Sequence, residues 1–209
     1  MKYKKYYRKT SLKQLGVGEF FLDEIIKKKP KSFLEVGVFH GVTARNVCEV
    51  LYKIHKNEFK YIGLDLFEKS DENKHEVIPN TTFSNPLKTF YFRYIKRQNP
   101  YSLVAVEDLL KKFENNIHLI KGNSKVLLKK IDMTKIDYVF LDGGHDYSTV
   151  KNDLNCCDEV IQFNGTVLCD DYDLTQAPGV KKAIDEFVTE NNYNCTIVCN
   201  GRFAKIEKN

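Results

Sequence analysis

Ser32-Phe33-Leu34-Glu35-Val36-Gly37-Val38-Phe39-His40-Gly41-Val42-Thr43 is the stretch that decides the fold. Residues 33–38 form a near-continuous apolar run, which is typical of a strand buried on both faces of a parallel sheet. Gly37 and Gly41 allow a sharp turn and a close approach to a ligand, because no Cβ stands in the way. Apolar residues at helical spacing follow in residues 42–52. A strand, a glycine turn and a helix together predict a nucleotide-type pocket at the carboxyl end of a parallel strand.

The composition is ordinary for a globular protein. The 209 residues are 42% hydrophobic and 29% charged, with a formal net charge of +5, so we expect one domain, residues 1–209, with a substantial core. No apolar run is long enough to cross a membrane. Many basic residues lie in residues 1–31, which is typical of a solvated face, and no basic-aromatic motif favours nucleic acid. Six cysteines without a C-x-x-C pair predict reduced thiols in a cytoplasmic protein.

Strands and helices alternate along almost the whole chain. Strands are predicted at residues 33–38, 60–67, 117–123, 136–142, 165–171, 194–200 and 203–208. Helices are predicted at residues 12–29, 42–52, 87–97, 102–113, 124–130, 147–163 and 180–190. Asn200-Gly201 is a two-residue link that is typical of an antiparallel hairpin. The pattern predicts a doubly wound α/β fold, a mostly parallel seven-stranded sheet with helices on both faces and an antiparallel C-terminal hairpin.

Two segments depart from this alternation. Residues 1–30 form an N-terminal extension, whose predicted helix buries Leu15, Phe20, Phe21, Ile25 and Ile26. Residues 68–101 form an insertion that begins with a predicted loop at residues 68–84 and is rich in aromatic side chains, namely Phe83, Phe90, Tyr91, Phe92, Tyr94 and Tyr101. Packing in the core explains these aromatics, Phe90 and Tyr94 above all, and a lid over the site or a dimer contact is the functional alternative.

Polar residues stand at the carboxyl ends of the first five strands, where doubly wound sheets bind their ligands. In chain order they are Glu35, Gly37 and Gly41, then Asp65, then Asn123 and Ser124, then Asp142 and His145, then Asp170 and Asp171. Asp65 is placed to accept hydrogen bonds from ribose hydroxyls, and Asn123 and Ser124 are placed for an adenine edge. Each residue alone has an ordinary explanation as a helix cap or a turn. All of them nevertheless fall on one edge of the sheet, which indicates a binding site.

Three of these residues are carboxylates that would repel one another without a cation. Asp142, Asp170 and Asp171 offer oxygen ligands only, and such ligands suit Mg²⁺. The sequence therefore predicts a magnesium site at this edge of the sheet.

Four stretches together resemble the class I S-adenosylmethionine-dependent methyltransferases: Leu34-Glu35-Val36-Gly37 through Thr43, Asp65, Leu141 through Tyr147, and Cys169 through Tyr172. Within that class the chain is most similar to the metal-dependent small-molecule O-methyltransferases, including the macrocin and catechol types. The resemblance covers roughly residues 30 to 209. Its most specific part is Asp-Gly-x-His-x-Tyr followed by Asp-Asp-Tyr, and its least specific part is the glycine turn.

The resemblance implies a role for each matching position. The residues that would bind S-adenosylmethionine are Glu35, Gly37, Val38, Phe39, Gly41, Thr43, Asp65, Leu66, Asn123, Ser124 and Asp142. Asp142, Asp170 and Asp171 would hold Mg²⁺, and His145 would act as the general base beside Asp142. His145 is a departure from the catechol-type relatives, which carry a lysine at that position.

The expected function is therefore a Mg²⁺-assisted O-methyltransferase that acts on the hydroxyl of a small molecule, such as a sugar or a natural product. Its partners would be that acceptor and, as a further expectation, a second copy in a homodimer, without membrane or nucleic acid. A metal-independent methyltransferase acting on nitrogen or another atom is the alternative within the class. An NAD-dependent oxidoreductase fits less well, because the turn reads Gly-x-x-x-Gly rather than Gly-x-Gly-x-x-Gly. A nucleotide-binding protein without catalysis stays open.

Overall fold

The structure is a computed structural model that describes residues 8–67, 83, 85–131 and 135–208. Seven strands form one sheet within these ranges. In chain order they are β1 (Ser32–Val36), β2 (Lys60–Asp65), β3 (Ile117–Lys121), β4 (Ile136–Leu141), β5 (Ile161–Cys169), β6 (Asn194–Val198) and β7 (Phe203–Glu207). The seven strands predicted from the sequence are therefore confirmed.

Helices connect most of these strands. The described part of the chain holds α1 (Val17–Lys28), α2 (Val42–His55), α3 (Pro86–Phe90), α4 (Leu103–Leu110), α5 (Ser124–Leu127), α6 (Tyr147–Val160) and α7 (Pro178–Asn191). Short 3-10 turns occupy Ser11–Lys13, Lys111–Phe113 and Leu128–Lys130, and α3 continues into a π-helical segment at Tyr91–Lys96. No described helix has the length and apolar character that a membrane span needs.

Strand β1 lies near the centre of the sheet and pairs in parallel with β2 on one side and β4 on the other. The strand order is β3-β2-β1-β4-β5-β7-β6. The boundary between β1 and β4 is therefore the switch point, where doubly wound sheets bind their ligands. Strand β7 is antiparallel to both β5 and β6. This order confirms a mostly parallel sheet with an antiparallel C-terminal hairpin.

Two apolar clusters cover the two faces of the sheet. Successive side chains of a strand point to opposite faces, so Leu34 and Val36 pack in the cluster that includes residues of α6 and α7. Phe33 packs in the other cluster, with residues of α1, α2 and α4. Its side chain is fully buried, and burial of a side chain of this size stabilises a fold by about 1.5–3 kcal/mol. Helices on both faces are thus confirmed.

The N-terminal helix begins later than the sequence predicted. Gly16 adopts φ +82°, a left-handed conformation, and α1 starts at Val17 after it. Leu15 precedes this start and is 97% exposed, and Ile26 is 48% exposed, so their predicted burial was wrong. The change in helix start explains Leu15, because a residue outside the helix does not share its apolar stripe. Phe21 and Ile25 are buried as predicted.

Two other boundaries and one packing prediction were also wrong. Helix α6 ends at Val160 and β5 begins at Ile161, so Phe163 belongs to a strand and is 70% exposed rather than helical. Phe90 and Tyr94 are 54% and 57% exposed, whereas we expected them above all in the core. Tyr101, seven residues after Tyr94, is buried instead and packs against Phe39 at the site. The predicted loop at residues 68–84 lies outside the described residues, apart from Phe83.

Candidate active site

The glycine turn after β1 brings three strand ends into contact. Gly37 adopts φ +97°, and a Cβ at this position would lie 2.0 Å from the carbonyl oxygen of Asp142. The Gly37 amide donates to the carbonyl of Leu64 at 2.9 Å, and the Asp142 amide donates to the carbonyl of Val36 at 2.8 Å. Only glycine fits here, because both the backbone conformation and the space exclude a side chain.

A cleft of about 950 Å³, measured with the open space at its mouth, lies beyond these strand ends. Of the predicted cofactor-binding residues, the cleft is lined by Gly37, Phe39, Asp65, Leu66, Ser124 and Asp142, and by His145 as well. Tyr101, Thr149 and Gln176 also line it. From the sequence, Tyr101 was expected only among the aromatics of a possible lid, and Thr149 and Gln176 were not singled out, because no spacing rule points an isolated threonine or glutamine at a ligand.

Asp65, at the end of β2, is held by three hydrogen-bond donors. Its Oδ2 accepts from the Phe39 amide at 2.7 Å, and its Oδ1 accepts from the Phe67 amide at 2.9 Å and from the Tyr101 hydroxyl at 2.8 Å. Burial raises the pKa of Asp65 above its ordinary value, and these three hydrogen bonds and a further one from the Leu66 backbone oppose that rise. The carboxylate is therefore fixed in orientation at the wall of the cleft.

A second pocket of about 810 Å³ adjoins the first one. It shares Gly37, Phe39, Asp142 and His145 with the first cleft. The other predicted cofactor residues along its wall are Val38 and Thr43. Because four residues line both pockets, the two pockets lie side by side, one reaching Asp65 and the other reaching Thr43.

The opposite wall of the second pocket comes from residues 8–11, which we call the N-terminal segment. Arg8 holds it in place, since its guanidinium donates to the carbonyl oxygens of Pro100 at 2.9 Å and Ala105 at 2.7 Å. The Thr10 and Thr43 hydroxyl oxygens lie 3.3 Å apart. The Ser11 hydroxyl donates to Asp142 Oδ2 at 3.2 Å. No pattern in the sequence predicts this wall, because contacts between residues far apart in the chain follow no periodicity.

Asp142, Asp170 and Asp171, which we call the carboxylate cluster, come together as predicted. One carboxylate oxygen from each residue lies within 4.8 Å of the others. Burial raises the pKa of Asp142 well above its ordinary value, and the charges of Asp170 and Asp171 raise it further. Three carboxylates at this separation carry an unfavourable repulsion that a cation would relieve.

Arg202, next to the start of β7, already supplies one positive charge to the carboxylate cluster. Its Nε donates to Asp170 Oδ1 and its Nη2 donates to Asp170 Oδ2 at 2.6 Å. The same Nη2 lies 3.4 Å from Asp171 Oδ1. The side chain of Asp170 is fully buried in this ion pair. The sequence did not predict Arg202, because it follows the hairpin turn rather than a parallel strand.

His145 lies beside the carboxylate cluster. Its Nε2 is 3.0 Å from Asp171 Oδ2, and this hydrogen bond raises the pKa of His145 although burial opposes the rise. Burial acts against the charge of Asp171, but the hydrogen bond from His145 and the nearby guanidinium of Arg202 leave its pKa lowered. The imidazole is therefore oriented by a carboxylate and is a stronger base than an isolated histidine.

Three predicted cofactor-binding residues line neither of the two pockets. Glu35 is fully buried under the turn, where Tyr61 donates to its Oε2 at 2.5 Å, and burial raises the pKa of Glu35 to about 8. Asn123 caps α5 by accepting from the Lys125 amide at 2.9 Å. Gly41 precedes the first residue of α2, and a Cβ at this position would lie 2.8 Å from the Val106 side chain. These three positions shape the elements around the cleft.

Solved structures share this fold. The O-methyltransferase NovP superposes with a TM-score of 0.68 at 15% identity, over 92% of this chain and 81% of that one. CalS11, a TDP-rhamnose 3'-O-methyltransferase of calicheamicin biosynthesis, superposes with a TM-score of 0.63 at 14% identity, over 94% and 81% of the two chains. The SAH-bound methyltransferase PaMTH1 of Podospora anserina gives a TM-score of 0.59 at 18% identity, over 91% and 76%. These likenesses establish the fold.

The sequence itself also matches a known family. None of the curated proteins with which it was compared matches it. A family model described as a methyltransferase domain matches residues 34–172, which include the glycine turn, Asp65, the carboxylate cluster and His145. The chain therefore belongs to this family of methyltransferase domains, as its resemblance to the class I S-adenosylmethionine-dependent methyltransferases predicted.

Proposed function

We propose that the protein transfers a methyl group from S-adenosylmethionine to a hydroxyl of a small molecule, with a divalent cation such as Mg²⁺ at the carboxylate cluster. The observation that carries the proposal is that the two pockets lie side by side. Asp142 and His145 line both pockets, so a methyl donor beside Gly37 and an acceptor beside His145 would meet at a shared boundary.

The methyl-donor site is supported by the fit of the cleft. The turn at Gly37 lets the end of β1 pass close to the Asp142 backbone at the wall of the cleft, and the Asp65 carboxylate lies on the same wall, where the resemblance places a ribose. Gly37, Val38, Phe39, Thr43, Asp65, Leu66, Ser124 and Asp142 would hold S-adenosylmethionine, which supplies an activated methyl group. Methyl transfer is an in-line displacement, and fixing both reactants in one cleft contributes much of its acceleration.

The cation site is supported by its donor chemistry. Asp142, Asp170 and Asp171 offer only oxygen atoms, as Mg²⁺ requires, and their mutual repulsion favours an added positive charge. Bound there, Mg²⁺ would lower the pKa of an acceptor hydroxyl and fix its direction. His145 accepts the hydroxyl proton at its imidazole, and Asp171 orients the ring and stabilises the imidazolium that results.

The class of acceptor follows from the similar proteins only in outline. NovP and CalS11 are described as O-methyltransferases, and CalS11 acts on TDP-rhamnose. A sugar or natural-product hydroxyl is accordingly the acceptor that we propose. Lys9 lines the second pocket and would favour an acceptor with a negative charge.

A metal-independent methyltransferase is the second candidate. Arg202 favours it, because this guanidinium already neutralises part of the charge of Asp170 and Asp171. In that case Arg202 would take over the electrostatic role that the first proposal gives to Mg²⁺.

One experiment tests the proposal and separates the two candidates. Calorimetric titration with S-adenosylmethionine, with NAD as the control, should show binding of S-adenosylmethionine alone. Methyl transfer to a panel of hydroxylated sugars and metabolites should stop with a chelator and return with Mg²⁺. Transfer that continues in the chelator would overturn the cation and favour the second candidate, and binding of NAD alone would overturn the methyltransferase reaction.

A further inference from the structure

Arg202 is the one cation among the described side chains that forms ion pairs with two members of the carboxylate cluster. A divalent ion at this cluster would need oxygen lone pairs from the same carboxylates. Arg202 therefore limits the number of carboxylate lone pairs that a metal could use.

Asp170 has little capacity left. Its Oδ1 accepts from Arg202 Nε and from the Asp171 amide at 2.8 Å, and its Oδ2 accepts from Arg202 Nη2 at 2.6 Å. A carboxylate offers about four lone-pair sites, so about one site on Oδ2 remains for a cation. Because Arg202 holds both oxygens in its planar fork, a metal cannot take more from Asp170 without displacing the guanidinium.

The backbone keeps Arg202 in this position. The Tyr172 amide donates to the Arg202 carbonyl at 3.1 Å, and the Asp173 amide donates to the Gly201 carbonyl at 3.1 Å. The hairpin turn is thus bonded to the loop that carries Asp170 and Asp171. A guanidinium that is tied to its carboxylate from both the side chain and the main chain does not move away at small energetic cost.

We propose that Arg202 is an internal counter-ion that competes with the divalent cation for the carboxylate cluster and keeps the metal weakly bound and exchangeable. This inference rests on the proposed function for the existence of the metal site. It assigns Arg202 a positioning role, since the guanidinium acts on the cation and on Asp170 rather than on the reacting atoms.

Calorimetric titration of the 209-residue protein with MgCl₂ tests the proposal. Arg202→Met removes the positive charge and releases both oxygens of Asp170 from the guanidinium, so the dissociation constant for Mg²⁺ should fall about tenfold or more. Lys182→Met, which removes one positive charge from the exposed surface of α7, should leave that constant unchanged. Mg²⁺ should also raise the unfolding temperature of Arg202→Met more than that of the wild-type protein, because the variant lacks the guanidinium that offsets the charges of Asp170 and Asp171.

Equal or weaker Mg²⁺ binding by Arg202→Met would overturn the counter-ion role, and Arg202→Gln provides a second neutral variant if Arg202→Met does not fold. If Mg²⁺ stimulates methyl transfer by the wild-type protein while the variants bind Mg²⁺ no tighter, only the role of Arg202 fails. If neither wild-type nor variant protein binds Mg²⁺, the metal part of the proposed function fails with it.

Discussion

The two sides of the cleft are built on different physical principles. On the side that we propose for the methyl donor, called the methyl-donor side, Asp65 is held by two backbone amides and the hydroxyl of Tyr101, which are all uncharged donors. On the carboxylate side, Asp170 and Asp171 are held by Arg202 and His145 through charged or titratable side chains. The first side is fixed by the register of the strands, and the second is fixed by a balance of opposing charges.

The two kinds of contact respond differently to substitution. Hydrogen bonds from backbone amides and a neutral hydroxyl depend little on salt, but they do not tolerate a change of backbone. Paired charges tolerate small shifts in geometry, but removing one partner leaves the other buried and uncompensated. Substitutions on the two sides should therefore separate binding of the methyl donor from turnover.

The largest effect is expected at His145, on the carboxylate side. His145→Ala removes the proposed general base and should lower kcat by about 10²–10⁴-fold, with affinity for S-adenosylhomocysteine nearly unchanged. Steady-state kinetics and calorimetric titration measure the two quantities. His118→Ala, at an exposed histidine of β3, is the matched control and should leave both unchanged. An unaltered kcat in His145→Ala would remove this residue as the base.

Gly37 should give the largest effect on the methyl-donor side. Gly37→Ala should destabilise the fold by more than the ~1–2 kcal/mol that a left-handed backbone costs a residue with a side chain, because its Cβ would meet the Asp142 carbonyl. Gly16→Ala is the matched control, since Gly16 has φ +82° but nothing within 4 Å of the added Cβ. The free energy of unfolding measured in urea should be well below that of Gly16→Ala for Gly37→Ala. Equal losses of stability in the two variants would contradict the proposed contact.

Glu35, which is buried under the glycine turn, should give a smaller effect on stability that depends on pH. Its pKa is raised from an ordinary value near 4.5 to about 8 in the folded protein, so the folded state keeps the proton that the unfolded state loses. Stability is therefore lost as pH rises between these values. Glu35→Gln escapes this loss, and its advantage over the wild-type protein should grow by at most about 1.4 kcal/mol per pH unit.

Urea unfolding at pH 6 and pH 7 measures this advantage. Glu58→Gln, at an exposed glutamate whose ion pair with Lys31 is 3.7 Å long, is the control and should show no such trend. A Glu35→Gln advantage that is the same at both pH values would mean that Glu35 is ionised inside the fold.

The smallest effect is expected for Ser11, a neutral hydrogen-bond partner of Asp142 on the carboxylate side. Ser11→Ala removes a hydrogen bond of 3.2 Å to Asp142 at an exposed position, so kcat/KM should fall by only two- to threefold, or about 0.5 kcal/mol. Initial-rate kinetics test it. A loss as large as that of His145→Ala would show that a neutral hydrogen bond matters as much as the charges and would remove the contrast between the two sides.

The sequence predicted the parts of this molecule that depend on periodicity and on strand ends. The apolar run of residues 33–38, the glycine turn and the acids after β2, β4 and β5 predicted the sheet, its two covered faces and the meeting of the carboxylate cluster. These succeed because parallel strands of one sheet bring their carboxyl ends to one edge whatever the loops do.

The parts that the sequence did not predict depend on long side chains and irregular backbone. Arg202 reaches the carboxylate cluster from a hairpin, and Tyr101 reaches Asp65 from the turn before α4. Leu15 was expected inside a helix, but the left-handed Gly16 starts that helix later. The contacts of Arg202 and Tyr101 join residues far apart in the chain, and no local sequence pattern indicates which of many similar side chains will meet.

One wall of the cleft comes from residues that precede every strand of the sheet. Arg8 fastens this wall to the carbonyl groups of Pro100 and Ala105, which belong to a distant part of the chain. A shortened protein that started at Val17 would retain every strand and α-helix that the structure describes, and yet it would lack this wall. Circular dichroism would still report the helices and strands, whereas a ligand-binding or turnover assay would reveal that bulk water now enters from that side.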